Sequence, residues 1–155
     1  MQVKDIMTKN PACCTADTNL QEVARLMLEN DCGETPVVDS KKSRKLLGVI
    51  TDRDITIRAV AEGKNPLELT AADCMSSPAV TVTQQMGIDE CCLVMEEKKV
   101  RRVPVVDENG GCCGIVAQAD IARHASKQET GDVVNKVSQP TDVASSRGAS
   151  SSRGK

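Results

Sequence analysis

The sequence predicts a mixed α/β (α+β) protein made of two β-α-β-β-α units that pack together. The main observation is an internal repeat: residues 5–39 align without gaps on residues 73–107, and 10 of these 35 positions are identical. In addition, each copy alternates short apolar runs with amphipathic patterns. Each copy alone is too small to bury a good core, so the two copies are expected to form one globule.

Each copy begins with a short strand, over 12–15 and 80–83, which leads into an amphipathic helix. Apolar residues then recur at i, i+3, i+4, i+7 and i+8, which predicts one buried helix face. The residues on that face are Leu20, Val23, Ala24, Met27 and Leu28 in the first copy and Ile88, Cys91, Cys92 and Met95 in the second.

A strand ending in Pro-Val-Val-Asp follows in both copies, and a hairpin joins it to a second strand, over 46–51 and 112–117. The turn Glu108-Asn109-Gly110-Gly111 has the residues of a tight turn that needs positive φ. A second helix, over 52–62 and 118–125, closes each copy.

The repeat divides the chain into five parts. They are a first motif over 1–62, a linker over 63–72, a second motif over 73–126, a possible short helix over 127–137 and a tail over 138–155. In the fourth part, Val133, Val134 and Val137 are expected to pack back on the domain. The tail is rich in Ser, Gly and Arg with few apolar residues, which predicts disorder.

The stretch Gly48–Asp54 reads as a strand running straight into a helix, with Thr51 and Asp54 at the junction. Thr-x-x-Asp at such a junction is typical of a capping box. The same junction could also serve a nucleotide, because a helix start favours phosphate and a carboxylate can accept hydrogen bonds from a ribose. The motif alone leaves both interpretations open.

Composition excludes several classes of protein. The net charge is -2, which gives no sign of a nucleic-acid-binding surface, and no apolar run approaches a membrane span. The start of the chain lacks the apolar core of a secretory signal, so a cytoplasmic location is expected. There is no Phe, Tyr or Trp. The core must therefore be aliphatic, with Met and Cys filling gaps.

Seven of the eight cysteines align with an aliphatic residue of the sister copy, as Cys14 does with Val82. This pattern is typical of small buried hydrophobic residues rather than of metal ligands, so no metal site is expected. Only Cys13, which aligns with Thr81, lacks an apolar counterpart.

With these motifs together, the chain resembles a tandem pair of CBS (cystathionine β-synthase-type) motifs, also called a Bateman module, over about residues 3–125. The resemblance rests on the duplicated order, the Asp-x-Met openings, the Pro-Val-Val-Asp strands and Gly48–Asp54, which fits the ribose-phosphate motif of the family. The runs at 100–105 and 119–124 resemble small stand-alone bacterial CBS-pair proteins. The family implies a non-catalytic module whose two copies pack about a pseudo-twofold axis with two clefts between them, and a homodimer. Many members bind AMP, ADP or ATP, and some bind S-adenosylmethionine or another adenosine-containing ligand.

Position by position, the resemblance implies that cleft one uses Asp54 for the ribose and Thr51 near ribose or phosphate. Apolar walls would hold the adenine and an Arg would grip phosphate. The implied nucleotide-binding residues of cleft one are Thr51, Asp54, Met75, Val80, Val100, Arg101 and Arg102.

Cleft two departs from the family pattern. Ala117 replaces the hydroxyl residue, and Gly33-Glu34 replaces the Arg pair, so a carboxylate stands where phosphate would arrive. This cleft is expected to be weak or degenerate. Its implied residues are Met7, Ala12, Cys32, Gly33, Glu34 and Asp120.

The sequence therefore favours a regulatory module that binds an adenine nucleotide, needs no cofactor and signals to a partner protein through conformational or dimer changes. Two alternatives stay open. One is a structural or stress-response CBS dimer without a nucleotide, in which Thr51 and Asp54 only cap a helix. The other is a cysteine-based redox-responsive protein.

Overall fold

The computed structural model describes residues 1–140 of the chain. Its helices are α1 Val3–Ile6, α2 Leu20–Glu29, α3 Asp52–Ile55, α4 Ala71–Cys74, α5 Ile88–Lys98, α6 Gln118–His124 and α7 Lys127–Val137. Its strands are β1 Thr8–Lys9, β2 Cys14–Thr15, β3 Glu34–Val38, β4 Leu46–Thr51, β5 Val82–Thr83, β6 Arg102–Val106 and β7 Cys112–Ala117. Among residues 1–140, no helix is both long enough and apolar enough to cross a membrane.

The predicted β-α-β-β-α order is confirmed in both copies, as β2-α2-β3-β4-α3 and β5-α5-β6-β7-α6. We call these the first unit and the second unit. In each, the short first strand pairs in parallel with the second, and the second pairs antiparallel with the third. The turn before β7 places Gly110 at a φ of 79°, as its residues predicted.

The two units exchange their opening segments. Strand β1 pairs antiparallel with β7 of the second unit, and Val3 and Ile6 of α1 are buried in the core of that unit. Reciprocally, Ala71 and Cys74 of α4 are buried in the core of the first unit. Each core is therefore completed by residues from the other copy of the repeat.

Both cores are aliphatic, with methionine and cysteine in the gaps, as the composition predicted. In α5, the predicted face of Ile88, Cys91, Cys92 and Met95 is buried. All eight cysteines are free: Cys14, Cys74, Cys91, Cys92 and Cys112 are buried, and Cys13, Cys32 and Cys113 are half-buried. Burial raises the pKa of Cys91 to about 12 and that of Cys14 to about 11.

The predicted face of α2 is only partly correct. Leu20, Val23 and Met27 are buried, but Ala24 is exposed and Leu28 is 81% exposed. Successive helical residues are rotated by about 100°, so Ala24 and Leu28 lie well away from the strip that contacts the sheet. This strip is narrower than the apolar pattern of the sequence.

The second helix of the first unit, predicted over 52–62, runs over 52–60 and changes from α to π geometry. After α3, a π-helical turn spans Thr56–Val60, in which the amide of Ala61 donates to the carbonyl of Thr56 at 2.8 Å. A π turn holds one more residue than an α turn, and such turns often accompany functional sites. Sequence periodicity over so few residues does not separate the two.

Helix α7, Lys127–Val137, spans the residues predicted for the C-terminal helix. Helix α7 starts at its cap Ser126, whose side chain accepts from the amide of Glu129 at 3.1 Å. Val133 and Val137 are buried in the second core as predicted, whereas Val134 is 38% exposed. The predicted tail begins at residue 138, and its part over 141–155 lies outside the described residues.

Candidate functional site

A cavity of about 430 Å³ lies between the two units, and we call it cleft one. The end of β4 and the start of α3 form one wall, and the segments before β5 and β6 form the opposite wall. The residues of cleft one that the sequence predicted are Thr51, Asp54, Val80, Val100, Arg101 and Arg102. Six of the seven predicted side chains thus line a single cavity, although they come from both copies of the repeat.

Met75 is the exception. It does not line the cavity but packs against the core of the first unit, next to Cys74 of α4. Its place is taken by the segment that follows. Ser76 bridges to Val49 of β4, and its amide donates to the carbonyl of Val49 at 2.8 Å.

Thr51 and Asp54 form the capping box of α3. The amide of Asp54 donates to Oγ1 of Thr51 at 3.0 Å, and the amide of Thr51 donates to Oδ2 of Asp54 at 2.9 Å. Among residues 1–140, no group donates to Oδ1 of Asp54. A hydroxyl group also keeps its own proton to donate. The cap therefore orients both side chains and leaves each with hydrogen-bonding capacity toward the cavity.

Four cationic side chains line cleft one. Arg101 and Arg102 were predicted, whereas Arg53 and Lys99 were missed. The repeat contains a signal for Lys99, because the position that matches it is Asp31, and both residues have positive φ at the end of the preceding helix. A comparison of charges at equivalent positions would have found it. Together these cations make the cavity suited to an anionic group.

Glu34 is placed differently from its prediction. The sequence assigned it to cleft two, but it lines cleft one, because β3 begins at Glu34 directly opposite Thr51 of β4. Glu34 is only 5% exposed. Burial raises its pKa to about 7, the charge of Arg102 opposes this shift, and Asp54 adds to it. Near neutral pH, this carboxyl group is therefore about half protonated.

The end of the described chain also reaches cleft one. Val137 at the end of α7 and the residues Ser138, Gln139 and Pro140 line the cavity. Sequence reasoning placed this segment in a disordered tail, and no motif in it indicated a contact with the site. Only the packing of α7 on the second core brings it there.

Of the residues predicted for cleft two, Glu34 is the one that lines cleft one. Met7, Ala12, Cys32 and Asp120 do not line cleft one, and Gly33 lies beside Arg102 of cleft one, whose Nη1 atom is 3.2 Å from where a β-carbon on Gly33 would stand. Oδ2 of Asp120 accepts from the amide of Ala117 at 2.8 Å, as in the equivalent cap. However, its Oδ1 is paired with Arg123 at 3.5 Å.

This ion pair distinguishes the two acids. The position that matches Arg123 in the first unit is Ile57, which cannot pair with Asp54. Asp120 is therefore engaged on both oxygens, and Ala117 offers no hydroxyl group. Within residues 1–140, no three His, Cys, Asp or Glu side chains are grouped so that they could hold a metal ion.

Comparison with known proteins identifies the repeat. The CBS domain family model matches residues 3–60 and 71–127. Hypoxic response protein 1 of Mycobacterium tuberculosis is 36% identical over 142 residues, which cover 92% of this chain and 97% of that protein. The protein MK0525 of Methanopyrus kandleri is 38% identical over 118 residues, or 76% of this chain, and the match spans 57% of its length.

Solved structures show the same fold. The CBS-domain pair of protein MJ0100, in complex with 5-methylthioadenosine and S-adenosyl-L-methionine, superimposes with a TM-score of 0.71 at 30% identity and covers 79% of this chain and 94% of that chain. CBSX2 in complex with AMP has a TM-score of 0.69 at 25% identity and covers 80% of this chain and 95% of that chain.

Proposed function

The chain belongs to the CBS-domain family as a tandem pair, and from this premise we propose that it is a regulatory module that binds an adenine nucleotide in cleft one. The observation that carries the proposal is that one cavity brings together Asp54, Thr51, apolar walls and several cations. Its volume of about 430 Å³ lies in the range of small-ligand sites. Solved CBS pairs with adenosine ligands support the choice of ligand class.

Each group of the cavity has a role in this proposal. Asp54 accepts hydrogen bonds from the ribose through its open Oδ1, and Thr51 donates to ribose or phosphate. Val80 and Val100 hold the adenine between aliphatic surfaces, because the chain has no aromatic side chain for stacking. Arg101 or Arg102 binds phosphate with several donors at once. The proposal assigns no catalytic residue.

Binding would be transmitted because cleft one is built from both units. A ligand that contacts both units stabilises one relative orientation of the units, and a partner protein can sense this change. We also propose a homodimer, since large apolar side chains stand exposed on two helices, with Leu28 81% and Leu93 56% exposed. Sedimentation of the full chain with and without AMP measures both the assembly and its response.

Thermal unfolding in the presence of AMP or ATP tests the proposal. A ligand at 100 times its Kd adds about 2.7 kcal/mol to the free energy of unfolding. The matched variants are Asp54→Asn and Asp120→Asn, since Asn keeps an acceptor for the cap amide. We expect Asp54→Asn to lose the stabilisation by ligand and Asp120→Asn to retain it. A melting temperature unchanged at millimolar nucleotide, with no absorbance near 260 nm in the purified protein, would reject nucleotide binding.

A second candidate function has its own support. The capping box of Thr51 and Asp54 is complete without a ligand, as a structural CBS dimer requires. In that case, Asp54→Asn and Asp120→Asn would change stability by similar amounts, and nucleotide would shift neither variant nor the native chain.

A further inference from the structure

Cys13 and Cys112 lie close together where the two units meet, since the amide of Asn10, shortly before Cys13, donates to the carbonyl of Cys113 at 3.1 Å. Cys13 precedes β2 of the first unit, and Cys112 begins β7 of the second unit. Arg44, from the loop between β3 and β4, contacts both. Its Nη2 donates to Sγ of Cys13 at 3.1 Å, and its Nε donates to the carbonyl of Cys112 at 3.1 Å.

Arg44 is itself held firmly in this position. Its Nη2 also donates to the carbonyl of Pro11 at 2.8 Å, and its own carbonyl accepts from the amide of Cys112 at 2.8 Å. These contacts place a fixed guanidinium group against one sulfur atom. A cation beside a thiol favours the thiolate, which is the nucleophilic form.

The two thiols differ in their protonation. The pKa of Cys13 is lowered, chiefly by its contact with the Cys112 thiol and also by Arg44, while burial and Cys14 oppose this shift. The Cys13 thiol donates to the carbonyl of Pro11 at 3.3 Å, and the Cys112 thiol donates to the carbonyl of Gly114 at 3.7 Å. The contact with Cys13 and burial raise the pKa of Cys112. One sulfur atom is therefore prepared to attack, and its neighbour keeps a proton.

The repeat also distinguishes Cys13 from the other cysteines. Its counterpart is Thr81, so it is the one cysteine whose position is not apolar in the sister copy. It is half-buried, whereas Cys14 next to it is buried. Replacement of an aliphatic core residue therefore does not account for Cys13.

We propose that Cys13 and Cys112 are a redox pair that forms a reversible disulfide between the two units. With a peroxide as oxidant, the Cys13 thiolate attacks one peroxide oxygen, the O–O bond breaks, and the departing hydroxide takes up a proton to form water. Cys13 is then a sulfenic acid. The sulfur of Cys112 attacks the sulfur of Cys13, the S–O bond breaks, and a second water leaves with the Cys112 thiol proton. The two thiols lose two electrons, which the peroxide gains.

Peptide mapping of the oxidised full chain tests the disulfide. The reduced protein is treated with stoichiometric hydrogen peroxide, free thiols are alkylated, and the digest is analysed by mass spectrometry without reductant. We expect one cross-linked peptide pair that dithiothreitol separates. Since Cys14 and Cys113 lie on the same peptides, single variants assign the bond: Cys14→Ala and Cys113→Ala keep the cross-link, whereas Cys13→Ala and Cys112→Ala lose it. A cross-link that survives Cys13→Ala, or free Cys13 and Cys112 after oxidation, overturns the proposal.

The rate of alkylation of Cys13 in the native protein tests the role of Arg44 without removing a cysteine. Arg44 lowers the pKa of Cys13 and so favours its thiolate, and we therefore expect Arg44→Gln to slow the reaction severalfold. The control is Lys42→Gln, which removes an exposed cation of the same loop. Equal rates in Arg44→Gln, Lys42→Gln and the native chain contradict the activation of Cys13. Circular dichroism verifies the fold of each variant.

Discussion

At the scale of residues, Asp54 and Asp120 occupy the same structural position but have different capacity for a ligand. Each accepts from the first amide of its helix cap, at 2.9 and 2.8 Å. The difference comes from the residue three positions later. Arg123 pairs with Asp120, whereas Ile57 leaves Asp54 without a cation at that place. The ion pair thus occupies Oδ1 of Asp120, whereas Oδ1 of Asp54 has no cation at the equivalent place.

Glu34 gives cleft one a dependence on pH. Its pKa of about 7 means that the side chain becomes charged as the pH rises from 6 to 8. The charged form competes with phosphate for Arg102 and repels it. We expect native protein to bind AMP more weakly at pH 8 than at pH 6, relative to Glu34→Gln, by up to about tenfold. Calorimetric titration of both proteins at each pH measures this difference.

The ionisation of the ligand is the same for both proteins, so the comparison at each pH cancels it. Binding to the native chain should also take up protons near pH 7, because the phosphate favours the neutral form of Glu34. Calorimetry in buffers of different ionisation enthalpy detects this uptake. If the ratio of the two affinities stays constant from pH 6 to pH 8, Glu34 does not face the bound phosphate.

At the scale of elements, the glycines of β4 and β7 allow the opening segment of the other copy to cross the strand. A β-carbon on Gly48 would stand 2.4 Å from the carbonyl oxygen of Ser76, which is backbone. A β-carbon on Gly114 would stand 2.5 Å from Sδ of Met7, which is the flexible end of a side chain. The two motifs therefore need glycine to different degrees.

We expect Gly48→Ala to lower the free energy of unfolding by about 2 kcal/mol, because the backbone at Ser76 must move. Gly114→Ala should cost less than about 1 kcal/mol, since Met7 can change its rotamer. Urea unfolding of both variants measures the difference. Because Ser76 lines cleft one, Gly48→Ala should also weaken nucleotide binding. A larger loss of stability in Gly114→Ala than in Gly48→Ala would show that the contact with the crossing segment does not explain why both copies have glycine at this position.

Helix α7 connects the second core to cleft one. Val133 and Val137 anchor the helix, and the residues that follow Val137 line the cavity. An element outside the repeat therefore contributes to the site. The capping box of Thr51 and Asp54 belongs to the first unit, whereas α7 packs on the core of the second unit. The two therefore reach the same cavity from different units.

At the scale of the whole molecule, the repeat carries different charges at the positions equivalent to those that line cleft one. Cations at 99, 101 and 102 correspond to Asp31, Gly33 and Glu34. The four cations of cleft one stand against three carboxyl groups, Glu34, Asp52 and Asp54. Because cations outnumber carboxyl groups in cleft one, this cavity repels an anion less than its carboxyl groups alone would. The same cavity contains the intact Thr51–Asp54 pair.

We expect one nucleotide to bind per chain. Asp120, the acid predicted for cleft two, is engaged by Arg123, and Ala117 offers no hydroxyl group beside it. Calorimetric titration with AMP gives the stoichiometry, and Asp120→Asn should leave it unchanged. Two equivalent sites per chain would be inconsistent with this asymmetry.

The sequence by itself determined the fold class, the order of the elements and most of cleft one. The motif Gly48–Asp54 singled out Thr51 and Asp54, and the resemblance to the CBS family implied the Arg pair. Aligning the copies showed that Ala117 stands where the first copy has Thr51. It also separated Cys13 from the cysteines that replace aliphatic residues. These features are encoded by spacing along the chain.

Only the tertiary structure decided which residues from distant parts of the chain meet. It placed Glu34 and the segment after Val137 at cleft one, and it packed Met75 against the core of the first unit. It also brought Cys13 close to Cys112. The physical reason is that these contacts depend on how the two units exchange their opening segments and pack together. The periodicity of a segment depends only on its own residues, so it cannot predict which distant side chains contact that segment.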